Sequence, residues 1–357
     1  MASTFKINGR PVGPDHPPYV VAELSGNHNG DVGRALALIE AAKAAGADAV
    51  KIQTYRADTI TLDHDGPEFL LTDGLWKGRK LYELYEEAHT PWDWHAELFT
   101  HARNLGITMF SAPFDPTAVE LLERLHAPAY KIASPEIVDL DLIELCARTG
   151  KPLIISTGMA SFEEIEEAVA TARAAGATEI LVLHCTSGYP TPVEQANLST
   201  ITDLTKRLDV AIGLSDHTLD NIVAAAAVAV GAVLVEKHFT LSRADGGVDS
   251  TFSLEPAELE KLVKDLHSVH AAIGQPNYRP TAAELITLPM RRSLYVVEDI
   301  AEGEELSRAN VRSIRPSNGM PPRHLKSVLG KTTTRALKRG EPLAADMIQG
   351  FTSQHDG

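Results

Sequence analysis

His217, in AIGLSDHT, and His238, in VLVEKHF, each close an apolar run of strand character. Two neutral imidazoles at the ends of neighbouring parallel strands face one mouth, and such a pair can hold a divalent metal. Unrelated strands also carry polar caps of this kind. The equivalent placement of the two, with the helical run DNIVAAAAVAVGA between them, favours a shared site.

Other strand ends carry matching chemistry. Lys51 with Gln53, Lys131 with Ser134 and Glu136, Ser156, Ser187 and Ser215 all follow apolar strand residues. Lysines and hydroxyls converging in one mouth make a phosphate cradle, because ammonium groups offset the anion and hydroxyls donate to its oxygens. A Schiff-base lysine at Lys51 or Lys131 stays open as a competing reading. Glu23 and Glu136 can each serve as general base, metal ligand or lysine partner. His28, in ELSGNHNG, reads as a local cap near a helix start, and His184 as an internal hydrogen-bonding residue.

The elements that must position these groups alternate regularly. Strands are expected at 19–24, 48–53, 107–112, 129–133, 152–157, 179–184, 210–215 and 232–238, separated by amphipathic helical runs. Gly46 and Gly176 end helices at repeated AAG, and Ser161 with Glu164 forms a capping box. Eight strands each followed by a helix describe an α/β (β/α)8 TIM barrel, with reactive groups at the carboxyl ends. A doubly wound sheet is the other candidate, but SGNHNG is not the Gly-rich phosphate turn it would want. Residues 54–92 exceed a simple connection and are either a wall over the mouth or an insertion packed outside. The barrel is expected over residues 1–275 and a linker over 276–290. Residues 291–357, with short β-type runs and EG and RG turns, form a small separate β-rich domain.

Bulk composition narrows the partners. Apolar residues make up 44% and charged residues 23% of the 357, ordinary for a globular protein. The net charge of −15 divides into −18 before residue 290 and +3 after it. An acidic body argues against nucleic acid, and an anionic substrate then needs a local set of cations. Cys146 and Cys185, the two cysteines, do not suggest a disulfide framework. No stretch reads as a signal peptide or membrane span, so a cytoplasmic setting is expected.

ELSGNHNG, KIQTYRADTITLD, FSAPFD, YKIASPE, STGMA, HCTSGYP, GLSDHT and EKHFTLSR, in that order, resemble the sialic acid synthase family of phosphoenolpyruvate-dependent nonulosonic acid synthases. RRSLYVVEDIAEGE and IRPSNG resemble that family's C-terminal antifreeze-like (SAF) domain, so the likeness spans essentially the whole chain. LWKGRKLYELYEEAHTPWDWH and the ELSGNHN form are most similar to its pseudaminic acid branch. The resemblance implies condensation of phosphoenolpyruvate with an open-chain amino sugar, 2,4-diacetamido-2,4,6-trideoxy-altrose for that branch, or the neuraminic or legionaminic precursor for the others. It implies Mn²⁺ or Mg²⁺ on His217 and His238, and Glu23 as the base that activates water. Lys51, Lys131, Ser134, Ser156, Ser187 and Ser215 match phosphoenolpyruvate positions, Ser187 standing where the family usually offers Asn. Gln53, Glu136, Tyr189 and Asp249 match positions facing the sugar. Arg315 matches an arginine that the small domain lends to the partner subunit, which implies a domain-swapped homodimer. Two rivals remain at this point: a metal-free Schiff-base aldolase, and a non-catalytic carbohydrate- or ice-binding protein acting through its tail.

Overall fold

A computed structural model describes residues 5–352 and separates into two compact units, divided between Gly274 and Gln275. The first opens with a hairpin, β1 (Phe5–Ile7) and β2 (Arg10–Val12), paired with Ile7 opposite Arg10. Its two-residue turn, Asn8-Gly9, has φ of 49° and 82°, the positive angles that favour Asn-Gly in such turns. This hairpin was not among the expected strands, although the Asn-Gly pair signals it.

Eight parallel strands then close a barrel: β3 (Tyr19–Glu23), β4 (Ala49–Thr54), β5 (Thr108–Pro113), β6 (Tyr130–Ile132), β7 (Leu153–Ser156), β8 (Ile180–Cys185), β9 (Ala211–Asp216) and β10 (Leu234–His238). Closure pairs His238 with Glu23 across β10 and β3, and Lys237 with Asp216 across β10 and β9. Each expected strand is present, with ends shifted by one or two residues. The (β/α)8 barrel is thus realised, and the doubly wound sheet is not.

Alternation along each strand sorts the side chains. Val20, Val50, Ile52, Val182, Ile212 and Val235 face outward and pack on helical Leu38, Ile39, Leu98, Leu122 and Leu262. Tyr19, Val21, Ala49, Phe110, Ile154, Leu181 and Leu234 face inward, closed at the amino end by Phe5, Ile7 and Val12 of the hairpin. Burying each Leu or Ile contributes about 2 kcal/mol, so one truncation such as Leu38→Ala costs about 3 kcal/mol. With the amino end plugged by apolar groups, polar inward positions are left to the carboxyl ends, where the next inward residues after Val21 and Ala49 are Glu23 and Lys51.

Local signals behave as their chemistry demands. Ser161 and Glu164 exchange bonds of 3.2 and 2.7 Å in a capping box at the helix Phe162–Ala174. Gly46 and Gly176 follow helix ends with φ of 89° and 102°. His28 does not cap a helix: Asp31 does, accepting from Arg34 N, while His28 Nδ1 accepts from Gly30 N within the turn. His184 bonds the Ala196 carbonyl at 2.7 Å, an internal role as expected.

Residues 54–92 form a wall, not an exterior insertion. The indole of Trp76 donates to the Val248 carbonyl at 2.9 Å, and its ring lies 5.5 Å from that of Tyr189. At its two ends the indole of Trp92 donates to the Tyr55 carbonyl at 3.2 Å, while Thr54 of β4 bonds His95 Nε2, just beyond the segment, at 2.9 Å. Cys146 and Cys185 are both buried and free. Among the described residues no helix is long and apolar enough to cross a membrane.

The second unit starts with an exposed run carrying the short helix Ala282–Leu285. Antiparallel β11 (Ser293–Val296) and β12 (Val311–Ile314) follow, and Leu294, Val296, Ile300, Leu306, Val311, Leu337, Leu343 and Ile348 form its own small core. Single bridges such as Ile300 to Leu337 hold its remaining turns.

Candidate active site

The mouth of the barrel is organised by four charges. Lys51 Nζ lies 2.5 Å from Glu23 Oε2 and 3.6 Å from Glu236 Oε1, and Lys131 Nζ donates to Glu236 Oε1 at 2.9 Å. All four are buried. Glu23 and Lys51 are register partners across β3 and β4, Lys131 comes from β6, and Glu236 on β10 is level with Val21, one inward step before His238. Glu236 also accepts from Ser215 Oγ at 3.4 Å. It is absent from the candidate residues above because reactive groups are sought there at strand ends, whereas Glu236 lies two residues inside β10. Parity on β10 sends Glu236 inward with His238 and Lys237 to the opposite face.

The expected cation cradle is therefore a balanced set in which each ammonium already faces a carboxylate. The two carboxyls are driven apart. Burial pushes Glu23 above the usual carboxylate range, Lys51 opposing this and Glu236 adding to it. Burial would also raise Glu236, but Lys131 and Lys51 outweigh it and hold that group down to about 2. Paired acids separated in this way divide their roles: Glu236 is a fixed anion, and Glu23 is able to take and return a proton. Burial works against the charge of Lys51, yet Glu23 and Glu236 more than offset it and push the ammonium up. A Schiff-base lysine needs a free amine, so this environment disfavours that chemistry at Lys51.

Hydroxyls ring the same space. Ser134 Oγ accepts from Gly158 N at 3.0 Å, and a side chain at position 158 would collide with Ser134 and Ser187. The buried Ser156 Oγ has no protein partner. Ser187 Oγ lies 3.9 Å from Cys185 Sγ, which stands equally far from His217 Nδ1.

His217 and His238 stand with ring centroids 5.3 Å apart. His217 Nδ1 faces the Thr186 carbonyl at 3.0 Å, a contact that fixes the ring and leaves Nε2 as the second nitrogen. His238 Nδ1 is buried and lacks a hydrogen-bond partner. Burial, with His217, Lys51 and Lys131 nearby, drives His238 well below the ordinary histidine value and keeps it neutral. Burial opposes a charge on His217, but Cys185 and the Thr186 carbonyl outweigh it and push that imidazole up. The neutral ring with an orphaned nitrogen is therefore His238, and a divalent ion shared by the pair would have to displace a proton from His217. Among the described residues no group of three or more His, Cys, Asp or Glu side chains is arranged as a ready-made metal cage.

The outer mouth is amphipathic. Tyr189 packs 4.5 Å from His217 and 5.2 Å from Phe252 between ring centroids. Asp249 accepts from Ser25 Oγ and lies 3.9 Å from His238 Nδ1; burial pushes its carboxyl up to about 6. Gln53 Nε2 donates to Glu23 Oε1 at 2.9 Å. Glu136, with an unpartnered Oε2, is pushed up to about 7 chiefly by burial. Arg315 is exposed just past β12 in the second unit. Every other candidate residue named from the sequence lies in or around the barrel mouth.

A parallel barrel with a buried, charge-balanced mouth of lysines, carboxylates, hydroxyls and paired histidines defines an enzyme of the (β/α)8 class. The NeuB family matches residues 38–278 and the SAF domain residues 291–349; the chain belongs to the NeuB family. It is 42% identical over 335 residues to the pseudaminic acid synthase of Helicobacter pylori, covering 93% of this chain and 98% of that one. It is 36% identical over 327 residues to the N,N'-diacetyllegionaminic acid synthase of Campylobacter jejuni, covering 90% and 97%. The crystal structure of N-acetylneuraminic acid synthetase from Leptospira borgpetersenii in complex with citrate superposes with a TM-score of 0.72 at 31% identity, covering 81% of this chain and 96% of that chain. A truncated 3-deoxy-D-arabino-heptulosonate 7-phosphate synthase from Thermotoga maritima, 13% identical with a TM-score of 0.58, shares the fold.

Proposed function

We propose that this enzyme is a pseudaminic acid synthase, joining phosphoenolpyruvate to open-chain 2,4-diacetamido-2,4,6-trideoxy-altrose to give a nine-carbon 2-keto acid and phosphate. The observation that carries this reading is the Lys51–Glu23 and Lys131–Glu236 set beside paired histidines in one mouth. The choice of sugar is supported by 42% identity to pseudaminic acid synthases of two organisms, against 36% and 32% to legionaminic acid synthases.

In this reading Lys51, Lys131, Ser134, Ser156, Ser187 and Ser215 bind phosphoenolpyruvate, and Gln53, Glu136, Tyr189 and Asp249 face the sugar. Mn²⁺ or Mg²⁺ held by His217 and His238 would supply a Lewis acid for the aldehyde oxygen. C3 of phosphoenolpyruvate forms the new bond to the sugar carbonyl carbon, leaving positive charge at C2. Water adds at C2 as Glu23 takes its proton, a role suited to a carboxyl that burial raises. The tetrahedral species then breaks its C2–O bond to phosphate as the C2 hydroxyl becomes the ketone and its proton leaves with phosphate. The sugar alkoxide receives the proton that Glu23 took from water. Arg315 is proposed to complete the sugar site of a partner protomer in a homodimer. The enzyme is placed in the cytoplasm, where both substrates would arise.

The test supplies phosphoenolpyruvate with a panel of 2-acetamido and 2,4-diacetamido sugars and follows phosphate release. The altro-configured 2,4-diacetamido sugar should turn over at least tenfold faster, by kcat/KM, than the others. A preference for the legionaminic or neuraminic precursor would overturn the assignment.

A further inference from the structure

The strongest unassigned feature near the mouth is a lysine that does not face it. Lys237 follows Glu236 on β10 and points to the opposite side of the sheet, where it is almost wholly buried. Its ammonium donates to Asp216 Oδ2 at 2.8 Å, to the Thr218 carbonyl at 2.8 Å and to the Asp220 carbonyl at 2.9 Å. All three protons of the group are thereby used. Asp216 in turn accepts from Thr218 N at 2.9 Å.

These contacts fall on residues 216, 218 and 220, so they bracket His217 on both sides. Lys237 itself immediately precedes His238, and Lys237 and Asp216 are register partners across β10 and β9. One buried ammonium thus ties the loop that carries one imidazole to the strand that carries the other. We propose that Lys237 is a positioning residue for the histidine pair, setting the spacing and orientation in which His217 and His238 together accept a divalent cation. It acts through the backbone on either side of the two rings and touches no substrate. The proposal rests on the reading of those histidines as a metal pair.

A buried ion pair of this kind adds little net stability over apolar groups of similar shape, but breaking one partner leaves an unpaired buried charge. Lys237→Met alone can therefore damage the fold. The double variant Asp216→Asn with Lys237→Met removes both charges at nearly constant volume, so it leaves no unpaired buried charge while still releasing the Thr218 and Asp220 carbonyls.

Mn²⁺ binding to metal-free protein is measured by calorimetry for wild type, His217→Ala, Lys237→Met and the double variant, alongside circular dichroism and phosphoenolpyruvate binding without metal. Outer partners of metal ligands typically affect affinity by about 10–100-fold. The folded double variant should bind Mn²⁺ at least about tenfold more weakly than wild type, with phosphoenolpyruvate affinity within about twofold. Wild-type Mn²⁺ affinity in the folded double variant would overturn the positioning role while leaving the metal pair intact. Equal Mn²⁺ binding by wild type and His217→Ala would instead overturn the metal pair and this proposal with it.

Discussion

Lys131 reaches across the barrel from β6 to donate to Glu236 on β10 at 2.9 Å, although 105 residues separate them. The same oxygen lies 3.6 Å from Lys51, so one buried anion serves two ammonium groups. Incoming phosphoenolpyruvate would find cations that are already ordered and partly neutralised, at little cost in rearrangement.

Glu236→Gln should therefore leave Lys51 and Lys131 short of one negative charge. Breaking a buried pair in this way costs about 3–5 kcal/mol. Phosphoenolpyruvate, being anionic, should restore more stability to this variant than to wild type. Thermal unfolding with and without phosphoenolpyruvate checks it, and an equal ligand-induced rise in Tm for both proteins would contradict the shared-anion account.

Glu23→Gln keeps the shape of the side chain and the bond from Gln53 while removing the proton acceptor. Loss of a positioned base lowers turnover by about 10²–10⁴-fold. The KM for phosphoenolpyruvate should change far less, since Lys131 and the serines remain. Steady-state phosphate release gives both values; a variant retaining more than a tenth of wild-type kcat would remove Glu23 from the water-activating step.

The barrel was legible because all eight strands are short, almost fully buried apolar runs whose helices carry ordinary start and stop signals, as at Ser161 and Gly176. The inward parity of Lys51, Lys131 and His238 followed from the same pattern. Glu236 stands two residues before His238, so the same alternation turns it inward and Lys237 outward; it escapes a search confined to strand ends because it lies inside the strand. Closure of β10 against β3 and β9 then decides what each charge meets, the lysines of the mouth for Glu236 and Asp216 for Lys237. The hairpin Phe5–Val12 escaped for a different reason: strands of three residues leave too few positions to show alternation.

Glu136 predicts a pH-dependent stability. Burial raises its carboxyl from 4.5 to about 7, so below pH 4.5 it is protonated in both folded and unfolded chains and carries no penalty. As pH rises through 7 the unfolded chain gains more from ionisation, and the folded state loses at most about 3 kcal/mol. Glu136→Gln abolishes that dependence. Urea unfolding at pH 5 and pH 8 should show the variant gaining on wild type at the higher pH. A difference between the two proteins that stays constant across this range would place Glu136 in contact with solvent.

The proposed exchange of Arg315 between protomers makes a distinctive prediction about mixtures. His238→Ala should abolish turnover in its own barrel, and Arg315→Ala should raise the KM for the sugar more than that for phosphoenolpyruvate. If the small domain serves the partner, a mixed dimer holds one barrel with intact His238 completed by an intact Arg315, and one site lacking both. Random pairing makes half of all dimers mixed, with one good site in each, so co-refolded or co-expressed variants should recover about a quarter of wild-type activity at limiting sugar. If each protomer instead used its own Arg315, every site would lack one group or the other. Activity would then stay at the average of the two parent variants, however the subunits were combined.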